Sequence, residues 1–260
     1  MTLSGLIPPL TILGFLLAAV YGYKGKKPAV AVVLSLIIGG LLLLQTSLMV
    51  RSGWQVSLHE SLLVALALMQ GCYLITALSA KTMWRLSLLT QPVLGLVYGI
   101  AWLVPSPTDV FLSFTPLLAA HIGFALIGYG LLTMAAFAAF AVYTREAYLK
   151  AHSASGFSTR LPVLEAADKG QFTALGLGAA SLAVALVAGA MYQHDISGSW
   201  FVLSIKTLFT YITFVAILAL LAARRLWGTR GARAAKRIML TYTLLLVAFL
   251  SSKLALIVPQ

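Results

Sequence analysis

Four histidines, His59, His121, His152 and His194, are the side chains here with the clearest capacity for chemistry. Neutral imidazole binds iron, copper, nickel and zinc, and a pair of axial imidazoles suits haem iron. No HxxxH or HExxH pair sets two of them on one helical face, so a zinc-hydrolase motif is not preformed. Cys72 is the sole cysteine, which excludes an intrachain disulfide, a CxxC redox pair and a thiolate zinc centre. Lys206 and Lys253 are the cations set within apolar runs, and those runs contain no Asp or Glu. An ionisable group inside a membrane is costly unless paired, so each of these is a candidate for function. The acids needed for a proton- or cation-coupled carrier are missing.

What these residues do depends on the elements that carry them. Of the 260 residues 61% are hydrophobic and 9% charged, where a soluble domain carries about a quarter charged residues. A cytosolic enzyme is excluded. Crossing a hydrocarbon core of about 30 Å takes roughly 20 apolar residues at ~1.5 Å each. Eight stretches qualify, at about 6–23, 29–50, 61–80, 86–104, 116–143, 172–192, 200–223 and 238–258. The expected fold is an all-α integral membrane protein, a bundle of eight transmembrane helices with residues 1–260 forming one domain, because no linker parts two apolar blocks. Lys24, Lys26 and Lys27 follow the first run instead of preceding it, the reverse of a signal peptide, so that run reads as a retained helix.

The net charge is +12, yet every Lys and Arg except Arg51, Lys206 and Lys253 falls in alternate gaps between the runs. Basic loops resist translocation. Those gaps are predicted to be cytoplasmic and both termini outside, in a bacterial cytoplasmic (inner) membrane. The basic character is then a topology signal: the expected partner is the lipid bilayer and not nucleic acid, and stretch 224–237 reads first as a contact with anionic lipid.

This orientation brings three histidines to one depth. His59 immediately precedes the third run, His121 lies about one and a half turns into the fifth from its outer end, and His194 closes the sixth. His152 falls in a cytoplasmic gap and reads as solvated surface. Three imidazoles from three helices at the outer leaflet suggest a site assembled between helices. Leu118, Ala125, Gly128 and Leu132 share the helical face of His121, small and apolar enough for a flat macrocycle, although plain helix packing asks for the same residues. His121 is thus either a ligand or a structural histidine, His194 a ligand or a loop residue, and His59 a third contender. Trp54, Trp102 and Trp200 suit an interfacial aromatic belt, with stacking on a porphyrin the alternative for Trp200. Lys206 and Lys253 either snorkel outward or face an anionic ligand. Glu60 either caps the third helix or pairs with a cation. Ser181, Ala185 and Gly189 recur every fourth residue and offer a neighbouring backbone a close approach. Between residues 144 and 171, the run from Thr159 to Glu165 predicts a short cytoplasmic helix capped by Thr159.

Four segments resemble the cytochrome c assembly protein family of membrane haem-handling proteins. Ser57-Leu58-His59-Glu60-Ser61-Leu62-Leu63 is similar to the family's Asn-Leu-Tyr-Glu-Ser-Leu entrance to an early helix. Pro116-Leu117-Leu118-Ala119-Ala120-His121-Ile122-Gly123, with Gly128-Tyr129-Gly130, resembles its Pro-Leu…His-Val…Ser-Tyr-Ala segment. Leu161-Pro162-Val163-Leu164-Glu165-Ala166-Ala167-Asp168 resembles its Leu-Pro-x-Leu-Glu-x-Leu-Asp lead into the next span. The stretch from Gly189-Ala190-Met191-Tyr192 through Trp200 and Lys206-Thr207 to Gly228 and Gly231 is similar to the family's region after that span. The motifs cover most of 57–233, within a family-like core of about 57–258.

The resemblance implies haem b near the outer face. His121 stands at the family's external haem-ligand position, with His194, or else His59, as the second ligand, and Lys206 and Lys253 neutralising the propionates. The departures matter too. Phe201-Val202-Leu203-Ser204-Ile205 replaces the family's Trp-rich external segment, and Ser251-Ser252-Lys253 stands where its second external His belongs. A full cytochrome c synthase is therefore not expected, no complete catalytic constellation is present, and the likeness is greatest to the YpjD/HemX branch. Two readings result: a haem-binding protein that serves a cytochrome c assembly or other membrane partner, or a cofactor-free regulatory or scaffold subunit acting through its basic cytoplasmic face. A transporter fits less well, for want of inverted repeats.

Overall fold

A computed structural model of the chain describes residues 3–24, 27–51, 57–103, 115–152, 156–200 and 205–254. The described residues form eight α-helices and no strand: α1 (Leu3–Lys24), α2 (Pro28–Arg51), α3 (Leu58–Ser79), α4 (Ser87–Leu103), α5 (Pro116–Lys150), α6 (Leu164–Ser197), α7 (Ile205–Trp227) and α8 (Gly231–Leu254). Seven of them, α1 to α7, are long and apolar enough to cross a membrane, so this is a multi-pass membrane protein. The described part of α8 is not among the seven; Arg233, Lys236 and Arg237 occupy its first two turns.

The helices begin where the sequence supplies caps. Ser57 accepts the Glu60 N–H at 3.1 Å in front of α3, and the Ser61 hydroxyl donates to the Ser57 carbonyl. Ser57 and Glu60 have the spacing of a capping box, and the cap at this helix end is supplied by the Ser57 hydroxyl. Thr115 accepts the Leu118 N–H in front of α5, with Pro116 at the first helical position, where its missing N–H costs nothing.

Two helices run far beyond their predicted spans. α5 has 35 residues and α6 has 34, roughly 52 and 51 Å at 1.5 Å per residue. The gap expected at 144–171 is therefore mostly the tail of α5 and the head of α6. Thr159 lies in a 3-10 turn and caps neither; its hydroxyl donates to the Gly156 carbonyl. Leu161 is extended, as a residue before proline must be, and the helix starts only after Pro162.

The chain divides into two compact units. The first comprises Met1–Ser113 and Ser155–Ala166, the second Phe114–Ala154 and Ala167–Gln260. In the first, Phe15 and Ala18 of α1, Ile38 and Leu42 of α2, Leu63, Leu66 and Ala67 of α3, and Leu94 and Tyr98 of α4 form the core. Lipid is as apolar as leucine, so packing and polar ties hold membrane helices together. Gln70 donates to the Ser35 carbonyl at 3.0 Å, Gln91 to Gln70 at 3.4 Å, and Gln45 to the Tyr98 hydroxyl at 2.7 Å. In the second unit, α5 runs antiparallel to α8, tied by Thr133 and Tyr242 at 2.9 Å. Where α5, α6, α7 and α8 converge they leave a cavity of about 10 Å³ lined by Leu132, Leu175, Thr213, Ile217, Ile238 and Tyr242 among others. That is room for one water molecule.

Candidate functional site

The second unit holds the most developed histidine. His121, in the second turn of α5, places Nδ1 2.7 Å from the Ala185 carbonyl oxygen on α6. A carbonyl has no proton to give, so Nδ1 carries one and donates it, and in the neutral ring the lone pair sits on Nε2 at the opposite edge. A backbone carbonyl that fixes the tautomer and ring orientation in this way is the usual support behind a metal-ligating imidazole.

The ring reaches that carbonyl because α6 offers no side chain one turn further on. A Cβ at Gly189 would stand 2.5 Å from His121 Nδ1. The rest of the seam follows the same logic. Ser181 Oγ donates to the Phe124 carbonyl at 2.7 Å. The spaces where Gly128 and Gly178 lack a Cβ are filled by Leu182 and Leu132 respectively. The small-residue stripe of Ser181, Ala185 and Gly189 is thus the surface on which α5 lies, and one of its carbonyls orients His121.

His194 and Trp200 form a separate pair. Their rings stack at 4.2 Å between centroids with 26° between planes. Trp200 is exposed, and Asp195 Oδ1 stands 4.0 Å from His194 Nδ1. His194 lies five residues beyond Gly189, which on an ideal helix is roughly 7.5 Å along the axis and about 140° around it. On an ideal helix that sets His194 on a different face of α6 from the one that seats His121.

In the first unit His59 repeats the preparation of His121. Its Nδ1 is 2.7 Å from the Ala101 carbonyl oxygen of α4, and the Trp102 ring meets it edge-on at 5.0 Å and 80°. Trp102 is thus more than a belt residue: it walls His59 while remaining exposed. His152, two residues beyond α5, is exposed and in the left-handed region at φ 50°, as solvated surface requires. Trp54, the segment 201–204 and the side chains of Ile205, Lys206, Ser251, Ser252 and Lys253 lie outside the described residues.

Among the described residues no three His, Cys, Asp or Glu side chains gather as a metal-binding group. A single imidazole with its Nε2 lone pair left open fits a metal that arrives with its other ligands already in place, as haem iron does. The donor chemistry of His121, and equally of His59, is compatible with that group.

Sequence reasoning missed a cluster at the opposite, basic end of the second unit. Arg224 at the end of α7 is 3.0 Å from Asp168 Oδ2 and lies over the Phe172 ring at 4.3 Å. Asp168 Oδ1 also accepts the Gly231 N–H at 3.2 Å, and Glu146 Oε2 accepts the Ala232 N–H at 2.5 Å. Carboxylates from α5 and α6 thus satisfy the first N–H groups of α8, where the helix dipole favours negative charge. Beyond the hydrocarbon-length part of α5, the Lys150 ammonium and then the Ala232 N–H hold the Glu146 carboxyl below its ordinary range. Gly228 and Gly231, at φ 59° and 68°, make the intervening turn possible. Only six acids occur in the chain, and that scarcity is the one signal that could have drawn attention to these two, though not to their capping role.

Residues 10–258 match the family described as Cytochrome C assembly protein. The match includes α1 and α2, which the motif resemblance from residue 57 onward did not reach. An uncharacterized 28.8 kDa protein in the nifR3-like 5' region of Azospirillum brasilense is 30% identical over 203 residues, spanning 77% of this chain and 75% of that protein. No solved structure matches the chain.

Proposed function

Because this chain belongs to the cytochrome c assembly protein family, we propose that it handles haem b in the membrane, with His121 as an axial ligand through Nε2. The observation that supports this is the 2.7 Å bond from Nδ1 to the Ala185 carbonyl, which presents the ring in its ligating tautomer. In this reading Gly189 admits the ring, α6 holds it, and the apolar seam keeps water from its back edge. Bound haem would supply iron-centred ligand exchange and electron transfer; the chain supplies a seat, an orientation and an apolar wall. His194, with Trp200 stacked on it, is the contender for the second ligand within the same unit, while His59, against Trp102, is prepared in the same way in the first unit. Lys206 and Lys253 would neutralise the propionates, since buried anions need cationic partners. Membership of the YpjD/HemX branch, placement in a bacterial inner membrane and basic ends on the cytoplasmic side belong to the same proposal.

The test is an absorption spectrum of detergent-purified protein expressed with ample haem. A Soret band is expected, and His121→Ala should abolish or shift it. Single substitutions of His194 and His59 identify the second ligand by which of them converts a low-spin spectrum. A wild-type protein with no Soret band, or a band indifferent to His121→Ala, overturns the proposal.

A second reading rests on Phe201 to Ile205 and Ser251-Ser252-Lys253, where the sequence departs from the family's haem-presenting residues. It makes the protein a cofactor-free regulatory or scaffold subunit that binds a partner through residues 144–171 and 224–237. Partner capture that survives loss of His59, His121 and His194 together favours it.

A further inference from the structure

The basic end of the first unit carries a feature that haem handling does not use. Arg160, in the 3-10 turn before α6, lies over the ring of Tyr23, the penultimate residue of α1, with its guanidinium carbon 3.7 Å from the ring centroid. Its Nη1 is buried and has no hydrogen-bond partner. The side chain as a whole is only half-buried, so the rest of the guanidinium is the part that a ligand can reach. Arg85 donates from Nη1 to the carbonyl of the residue preceding Arg160, Thr159, at 3.1 Å, and Thr82 accepts the Val163 N–H at 3.4 Å. These contacts gather Lys24, Lys81, Arg85 and Arg160 at one end of the unit. Glu165 is the one carboxylate there among the described residues, and it is exposed.

We infer that Arg160 and Arg85 form a seat for the phosphate of an anionic phospholipid. A guanidinium presents a planar fork that matches two phosphate oxygens, and the aromatic ring beneath holds it still without using any of its donors. The neighbouring lysines add net positive potential, which favours an anionic headgroup over a zwitterionic one.

The source of the phosphate is read from α1. Leu13, Leu16, Leu17 and Val20 recur at helical spacing, and each is half exposed or more. They form one uncovered apolar stripe that ends at Tyr23 and Lys24. An acyl chain lying along that stripe arrives with its headgroup at Arg160. A free phosphate ion has no use for the stripe.

Native mass spectrometry of the full chain in detergent, offered phosphatidylglycerol or phosphatidylcholine, tests the seat. The wild-type protein is expected to retain phosphatidylglycerol about tenfold better, with no displacement by millimolar inorganic phosphate. Arg160→Gln and Arg85→Gln should each erase that preference, while Arg233→Gln, in the other unit, should leave it intact. Arg160→Lys keeps the charge but loses the fork, and should lose most of the preference if Arg160→Gln proves unstable. Equal retention of the two lipids by the wild type, displacement by phosphate alone, or preference unchanged in folded Arg160 and Arg85 variants would each overturn the assignment. Since none of these measurements involves haem, the outcome is independent of the spectrum that tests His121.

Discussion

One ring nitrogen and one missing methyl group define the histidine seat. The sequence singled out His121 by its depth in the fifth apolar run and Gly189 by its place in a small-residue stripe, but as separate features. Nothing in a linear pattern says which carbonyl of α6 a ring on α5 will find, since that depends on the register of two antiparallel helices. The structure joins them and makes the pairing testable. A Cβ at residue 189 would stand 2.5 Å from Nδ1, so Gly189→Ala forces the ring off the Ala185 carbonyl or parts the helices. Overpacking of this kind costs about 1–3 kcal/mol. Gly189→Ala is therefore expected to lower the Tm in detergent and to disturb any Soret band as much as His121→Ala does. Ser181→Ala, which deletes the bond to Phe124 without touching the ring, should cost only about 1 kcal/mol and spare the band. A Gly189→Ala protein as stable as wild type, with an unchanged band, would show that the ring is not held where the seam puts it.

At the scale of elements, hydropathy identified the apolar middles of α5 and α6 and lost both once they turned polar. Glu146 and Lys150 read as loop residues although they continue a helix, because a solvated helical turn has no apolar signature. Pro162 was legible as punctuation, yet the helix begins after it and not with it. The two carboxylates that cap α8 could not be read at all: they are donated by α5 and α6, and caps are recognisable in sequence only when they come from the helix's own first residues. Their chemistry predicts a pH dependence. Lys150 and the Ala232 N–H favour the ionised form of Glu146, so its folded pKa lies below the ordinary value of 4.5. The stability it contributes is complete above that value and disappears as pH falls through the depressed one. Glu146→Gln should thus unfold at a lower temperature than wild type at pH 7, with the gap closing in acid. Because Lys150 is largely exposed, added salt should also narrow the gap. A gap that stays constant from neutral pH into acid and from low to high salt would assign the effect of Glu146 to packing instead of charge.

For the whole molecule, the pattern of Lys and Arg carries more information than any single motif. Among the described residues seven helices qualify as spans by length and apolarity, while the alternation of basic gaps asks for eight, with both termini on the side away from the basic residues. The two counts differ over α8, whose first turns hold Arg233, Lys236 and Arg237. A helix with charged first turns still crosses if its remainder is apolar, since long basic side chains near a helix end reach back to the interface. Thiol labelling separates the possibilities. Cys72 is buried, and Cys72→Ala gives a cysteine-free background. With a membrane-impermeant maleimide on intact cells, cysteines replacing Arg51 or Asp195 should label, and those replacing Lys27, Lys81, Lys150 or Arg233 should label only after lysis. The decisive position is Gln260→Cys. Labelling from outside means that α8 crosses and the spans number eight; protection until lysis means that the chain ends on the basic side and the count is seven. Labelling at Lys150 or Arg233 in intact cells would reverse the orientation altogether. The histidine ends of α5 and α6, the seat of His121 included, would then face the cytoplasm, against the outer-face placement proposed above.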